Sequence, residues 1–450
     1  MSPRVVDLPP VESKPEESFD EETKVGPPRT FRNEDPWAEP TRDTVVQDNI
    51  AIEPALADPE VSFDGLTNQN NAASFGFQVS PPDTNGDVGP NHYVQMSNLL
   101  VRVFNKAGAP LTQPFRLSSL FQQLGGQCAA EDSGDPVVLY DPLADRWVLS
   151  QFAFATPSAP PYHECFAISQ TPDPAGAYFL FDFVTPGANF PDYPKLGVWP
   201  DAYYMTTNQF LNGASFNGAG IFGFERAKMI AGDPTAGMVY VNADLAHFPE
   251  GVGGVLPADI DGLLPPPRGT PGVFSYFTAD EFGDAADALR LFDFHVDFAD
   301  PASSTFTERA ESPIAVASFN PLTPSGRDDI VQPPPASTGA ALDSISDRLM
   351  FRLAYRNFGD HESLVVNHTV AGGALGGVRW YEIRNPGTAP SVFQQGTIVD
   401  PDTDFWLGSI AMDRAGNIAV GFNAMSKRDF SSVYVAGRKP TDPLGTMFGP

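Results

Sequence analysis

The chain has 450 residues, 42% of them hydrophobic, with 40 Gly and 46 Pro; that is enough apolar surface for a core, and too many breakers for long helices. Its 56 acidic against 27 basic residues give a net charge of −29, which argues against nucleic acid and anionic membranes as partners and suits a soluble extracellular protein. No apolar run of about 18 residues occurs, so no membrane span is expected.

Residues 1–60 are rich in Pro, Glu and Asp and lack apolar periodicity. They read as a disordered arm, because too little apolar surface is available to offset chain entropy. Only Trp37 and the stretch 50–56 offer anything to dock. The opening MSPRVVDLPPVESKPEE has no apolar h-region, so no signal peptide is visible.

From about Val61 to the end the texture changes, and two kinds of segment recur. One is a hairpin with an Asp, Asn or Gly turn, as in DPVVLYDPLADRWVLSQFAF (135–154), KLGVWPDAYYMTTNQF (195–210), RLMFRLAYRNFGDHESLVVNHTV (348–370) and GSIAMDRAGNIAVGFN (408–423). The other is a strand, a Pro/Gly link and a second strand, as in ECFAISQTPDPAGAYFLFDF (164–183) and GIFGFERAKMIAGDPTAGMVYV (220–241). One of each makes a four-stranded unit, and the units repeat along the chain. That pattern predicts an all-β fold, a β-propeller of four-stranded antiparallel blades spanning 61–450. Six units are readable, starting near Asp83, Gly134, Lys195, Leu256, Arg348 and Gly408. The last lacks a clear fourth strand, which the stretch 75–79 is placed to supply unless the chain is cut short.

Three kinds of site follow in chain order. Asp83, Asn85 and Asp87 stand at i, i+2 and i+4 in DTNGDVG, a spacing whose oxygens can wrap a calcium ion. The match is partial, since Val88 stands where such loops carry Gly, and an Asx-turn is the alternative. Cys128 precedes the first strand of the second unit and Cys165 opens its third strand, at the same end of one blade. A disulfide there adds ~3 kcal/mol in the chain-entropy model; two buried thiols are the alternative. Residues just before an inner strand lie at the mouth of a propeller channel. Asp132, Asp135, Asp192, Tyr193, Lys195, Asp343, Asp347 and Trp406, with Asp404, are the candidate ligand-binding set. Carboxylates converging there serve a cation or an acid–base pair, although Asp also caps strands and turns.

The segments PPDTNGDVGPNHYVQMSN (81–98), GDPVVLYDPLADRWVLSQFA (134–153), FPDYPKLGVWPDAYYMTTN (190–208) and DRLMFRLAYRNFGDHESLVVNHTV (347–370) resemble a family of bacterial secreted, sialidase-like or BNR-like propellers. The resemblance covers about residues 75–450 and implies a seventh blade beyond the last readable one, hence a truncated ring. It fixes fold better than activity. A sialidase needs three clustered Arg with a Tyr and a Glu, yet Arg146, Arg226, Arg290, Arg348, Arg352 and Arg384 fall in no recognisable motif. The Ser-x-Asp-x-Gly-x-x-Trp box is also missing.

The resulting expectation is a monomeric extracellular propeller that binds or scaffolds a glycan or protein ligand. A sialidase-like glycoside hydrolase with an acidic channel mouth is the alternative.

Overall fold

The computed structural model describes residues 1–9, 43–47, 59–244, 248, 251–322, 328–334 and 341–449. The chain is a β-propeller of antiparallel blades, divided into two compact units. A two-residue strand, β1 (Val46–Gln47), precedes the repeats and belongs to the second unit.

The first unit contains residues 59–244 and 296–302 with the N-terminal residues. Its sheets are β2 (Asn85–Val88), β3 (His92–Ser97) and β4 (Leu100–Asn105); β5 (Gly134–Asp141), β6 (Arg146–Ala153), β7 (His163–Ser169) and β8 (Tyr178–Val184); and β9 (Asn189–Val198), β10 (Tyr203–Leu211), β11 (Ser215–Phe224) and β12 (Met238–Ala243). Apolar residues on both faces of each strand produce two layers of core. Val94, Met96, Val101 and Val103 meet Val138, Trp147 and Leu149 in one layer. Phe152, Tyr162, Phe190 and Phe210 form the next.

The second unit contains β13 (Leu256–Ile260), β14 (Gly272–Thr278), β15 (Ala288–His295) and β16 (Thr305–Glu308), then the short β17 (Ile314–Ala315), β18 (Ile330–Val331) and β19 (Ala341–Leu342). A full blade follows, β20 (Met350–Asn357), β21 (Glu362–Ala371), β22 (Gly376–Arg384) and β23 (Ser391–Ile398). Last comes a three-stranded sheet of β24 (Thr403–Met412), β25 (Ile418–Ser426) and β26 (Ser432–Arg438). Val365, Val378 and Trp380 pack on Ile410, Val420 and Phe422 between these two sheets.

The turns are made by the residues that marked them in the sequence. Asp141 Oδ1 accepts from Leu143 and Ala144 N–H, and Asp413 Oδ1 from Ala415 and Asn417 N–H. The TPDPAG and AGDPTAG links are both closed by an aspartate, Asp173 onto Ala175 and Asp233 onto Thr235. The innermost strands share another device. The ladder slips by a bulge beside Asp135, Tyr193 and Leu407, each left-handed at φ 45°, 58° and 49°.

Two pieces of the expected free arm are docked. Val5 is buried in the first core, and Ser2 exchanges hydrogen bonds with Tyr178. Asp43 pairs with the fully buried Arg379 at 2.8 Å, and β1 lies parallel to β23. These residues contribute the polar complement that a fixed strand edge and a buried guanidinium require, a role invisible in a segment without apolar periodicity. Trp37 and the stretch 50–56 lie outside the described residues. Residues 75–79 supply no strand: Phe75 ends a helix, α1 (Asn68–Phe75), and with Val79 packs on Leu99 and Leu100 of the first sheet.

Candidate functional site

Most of the residues expected at the strand starts bond to neighbouring backbone or side chains. Asp132 accepts from Ser118 N at 3.0 Å, Ser118 Oγ at 2.7 Å and Gln151 Nε2 at 3.2 Å, and so satisfies the first amide of the short helix α2 (Ser118–Phe121). Asn98 is a hub. Its amide nitrogen donates to Asp83 Oδ2 at 2.8 Å, and its carbonyl accepts from Asp135 N at 3.1 Å. Asp135 Oδ2 in turn accepts from Tyr193 N at 3.0 Å. One polar chain therefore joins Asp83, Asp135 and Tyr193 and satisfies the backbone at the bulges. The Lys195 ammonium stands 3.6 Å from the centre of the Tyr193 ring and donates to Pro194 O. Asp192 sits opposite Asn208 in the β9–β10 ladder.

In the second unit Asp343 accepts from Asp328 N at 2.8 Å, Asp347 forms a two-pronged pair with Arg348, and Asp404 accepts from Gly376 N. Trp406 is 2% exposed, packed with Ile330 and Met425. It is a core residue.

Within DTNGDVG, Asn85–Val88 form β2. Asn85 Oδ1 accepts from Val138 N at 2.8 Å and Asp87 Oδ2 from Tyr140 N at 2.7 Å. Period-2 alternation puts both side chains on one face of β2, where they peg it to β5. Cys128 and Cys165 form a disulfide with a Cα–Cα distance of 5.7 Å, inside the first core layer.

Two other constellations carry more chemical potential. On the far face of the first sheet, the extended segment 61–66 crosses β3 and leaves an open groove of about 370 Å³. Phe63, 39% exposed, packs its ring 6.0 Å from Tyr93 and 5.1 Å from Phe104. Gly86 allows this, since a Cβ there would come within 2.4 Å of the Tyr93 hydroxyl. Gln95, Asn105 and Lys106 supply polar groups around the aromatic floor. Lys106 is exposed and holds its ammonium 3.0 Å from Gly89 O.

In the second unit, Asp280, Glu281 and Asp287 bring carboxylate oxygens within 4.8 Å of one another. They lie in the β14–β15 loop, at the end of the sheet where β13 starts, because Leu256 pairs with Ser275 and β14 runs on to Thr278. Burial, then the neighbouring Asp280 and Asp287 charges, push Glu281 up to about 8. Asp287 is anchored by Asp280 N and Phe319 N. Nearby, Phe277 stacks on His368, which is fully buried and held down at about 3 by burial, then by Arg379. His368 Nε2 meets the Tyr381 hydroxyl at 2.9 Å. The sequence signal for the trio was present as DEFGDAAD, four acids in one loop of which three come together; the groove had none, because Phe63 and Tyr93 are far apart in sequence.

No known protein family matches the sequence, and no curated protein matches it. Among solved structures, it is similar to an endo-arabinase from Bacteroides thetaiotaomicron, at 9% identity over 69% of this chain and 94% of that one, with a TM-score of 0.35. It is also similar to an α-L-arabinanase from Penicillium chrysogenum complexed with arabinobiose, at 10% identity, 81% and 96% coverage and a TM-score of 0.38. A third is an exo-β-1,3-galactanase from Phanerochaete chrysosporium, at 9% identity, 78% and 77% coverage and a TM-score of 0.32. A sialidase-like affiliation finds no support in these comparisons. Identity near one residue in ten transfers no site residue to this chain.

Proposed function

We propose that the protein is an extracellular glycan-binding propeller whose ligand seat is the Phe63–Tyr93 groove. The observation that supports this reading is an exposed aromatic surface beside amide and ammonium donors in an open groove of about 370 Å³. Sugar C–H faces stack on aromatic rings, while hydroxyls take hydrogen bonds from side chains such as Gln95, Asn105 and Lys106. The net charge of −29 favours neutral over polyanionic chains. Arabinan and β-1,3-galactan are suitable first probes by affinity electrophoresis. Phe63→Ala is expected to weaken binding by roughly tenfold with little change in thermal stability, since Phe63 is 39% exposed in the segment that precedes the first sheet. Absence of wild-type binding across a broad polysaccharide panel would refute the reading.

A second reading, glycoside hydrolysis, is favoured by the β14–β15 trio. A general acid must keep its proton near neutral pH, and Glu281 does so beside Asp280 and Asp287. Close carboxyl groups are the arrangement of retaining glycosidases. Release of reducing sugar from either polysaccharide, abolished by Glu281→Gln, would carry this reading over simple binding.

A further inference from the structure

The loop that joins β13 to β14 reads DGLLPPPRGT (261–270) and stands at the opposite end of its sheet from the Asp280, Glu281 and Asp287 carboxylates. Three consecutive prolines fix φ, and each residue that precedes a proline is pushed to extended ψ, so 264–266 follow a polyproline II path. Both ends of that path are held. Asp261 N donates to Tyr355 O at 2.7 Å, and Gly262, left-handed at φ 95°, lies so close to Arg356 that a Cβ would come within 2.5 Å of its guanidinium. Asn357 Nδ2 donates to Pro265 O at 2.7 Å, and Thr270 donates to Pro267 O from both its N and its Oγ1. Gly269 is left-handed at φ 87°, the third position of a type II turn, which keeps Arg268 before it in the same extended region.

What this fixed path shows to solvent follows from its period. A polyproline II helix has about three residues per turn, so Leu264 and Pro267 share one edge, Pro265 and Arg268 a second, and Pro266 lies on the third. Pro266 is buried, and all four residues of the other two edges are exposed, Leu264 to 51%. Leu263, at the bend after Gly262, is 78% exposed and widens the apolar surface. Contiguous apolar surface on an ordered loop marks a contact. In a chain with 56 acidic residues against 27 basic ones, the one charged side chain of 262–270 is an arginine, and among the described residues no carboxylate pairs with it.

We propose that 263–268 is a docking epitope for a partner protein whose groove is lined by aromatic rings and bordered by a carboxylate. The rings receive the apolar edge of Leu264 and Pro267, and the carboxylate takes the Arg268 guanidinium in a two-pronged pair. The buried third edge and the anchoring bonds order the loop before it binds, which lowers the entropy lost on docking. A membrane fits less well, because the net charge of −29 opposes the anionic surface that a pair of leucines and an arginine would otherwise suit.

The test titrates the full chain into a panel of isotope-labelled SH3 and WW domains, probes that carry such grooves, and follows their amide shifts by NMR. Saturable shifts confined to the aromatic groove of at least one domain are expected, weakening between about 0.05 and 0.5 M salt. Arg268→Gln should weaken binding by roughly tenfold and remove most of that salt dependence, and Leu264→Ser should weaken it by about as much. Both side chains are exposed and make none of the anchoring bonds, so neither change should move the unfolding midpoint. Val331→Ser, at an exposed apolar position elsewhere in the same unit, should leave binding unchanged. Absence of binding across the panel, shifts outside the groove, or indifference to both Arg268→Gln and Leu264→Ser overturns the proposal. Flotation of the chain with phosphatidylcholine vesicles that Leu264→Ser abolishes would also overturn it, by assigning the loop to a membrane.

Discussion

Replacing Glu164 by Gln should stabilise the protein by an amount that grows with pH. Glu164 lies on β7, completely buried, and neither carboxyl oxygen has a hydrogen-bond partner. Burial pushes its pKa from 4.5 up to about 8; Ser150 beside it pulls the other way and is the smaller influence. In the unfolded chain the group titrates as an ordinary carboxyl. Between pH 4.5 and about 8 the folded state therefore keeps a proton that the unfolded state has released, and stability falls as pH rises. Each pH unit in that window costs about 1.4 kcal/mol, so the cumulative loss is of order 3 kcal/mol by pH 7 and approaches ~5 kcal/mol by pH 8. Gln has nearly the same shape and no proton to lose, so the variant should match the wild type near pH 4 and exceed it progressively above. Urea unfolding of both proteins at pH 4, 7 and 9 measures this directly. Parallel pH profiles, or a gain independent of pH, would refute the reasoning.

Other expectations are as direct. Asp141 is fully buried and holds Arg226 through two bonds of 2.7 and 2.9 Å while accepting from the Tyr203 hydroxyl at 2.9 Å; Asp141→Asn leaves an uncompensated buried guanidinium and should cost roughly 3–5 kcal/mol in urea unfolding. Replacing Cys128 and Cys165 together by Ser should cost about 2–4 kcal/mol, since the bridge closes a separation of 37 residues; an unchanged unfolding midpoint would count against it. Asp87→Ala frees the Tyr140 amide and should cost about 1–2 kcal/mol, to the same extent with or without added calcium. A calcium-dependent loss would support the metal reading of DTNGDVG.

The blades were legible because each carries its own punctuation. Apolar runs such as VVLY and CFAIS end in Asp-based turns, and the aspartates that close those turns are the residues that marked them in the sequence. Inner strands begin at Gly134 and Leu256, where the repeat placed them, and within a few residues of expectation elsewhere. The disulfide was legible too, since both cysteines fell at one end of one unit. What could not be read was any pairing that joins distant polar residues. Asp43 to Arg379 and Ser2 to Tyr178 connect an acidic, Pro-rich opening to buried positions hundreds of residues away, and no local pattern announces them.

The candidate site shows the same limit from the other side. Asp at a strand start has two uses, and its position alone does not separate them. A left-handed residue at a bulge leaves amides that need an acceptor, and Asn98, Asp83 and Asp135 satisfy one another and Tyr193 N at just those points. At Asp135 and Tyr193 the recurrence that suggested a converging ligand site coincides with the bulge. Chemistry is more plausible where carboxylates are held together without a structural debt of that kind. Glu281 meets this condition best, since one of its buried oxygens has no partner while two acids stand beside it. Burial and like charge favour its protonated form. A buried carboxyl oxygen without a partner beside two further acids, more than the presence of an Asp at a strand start, marks a residue available for proton transfer.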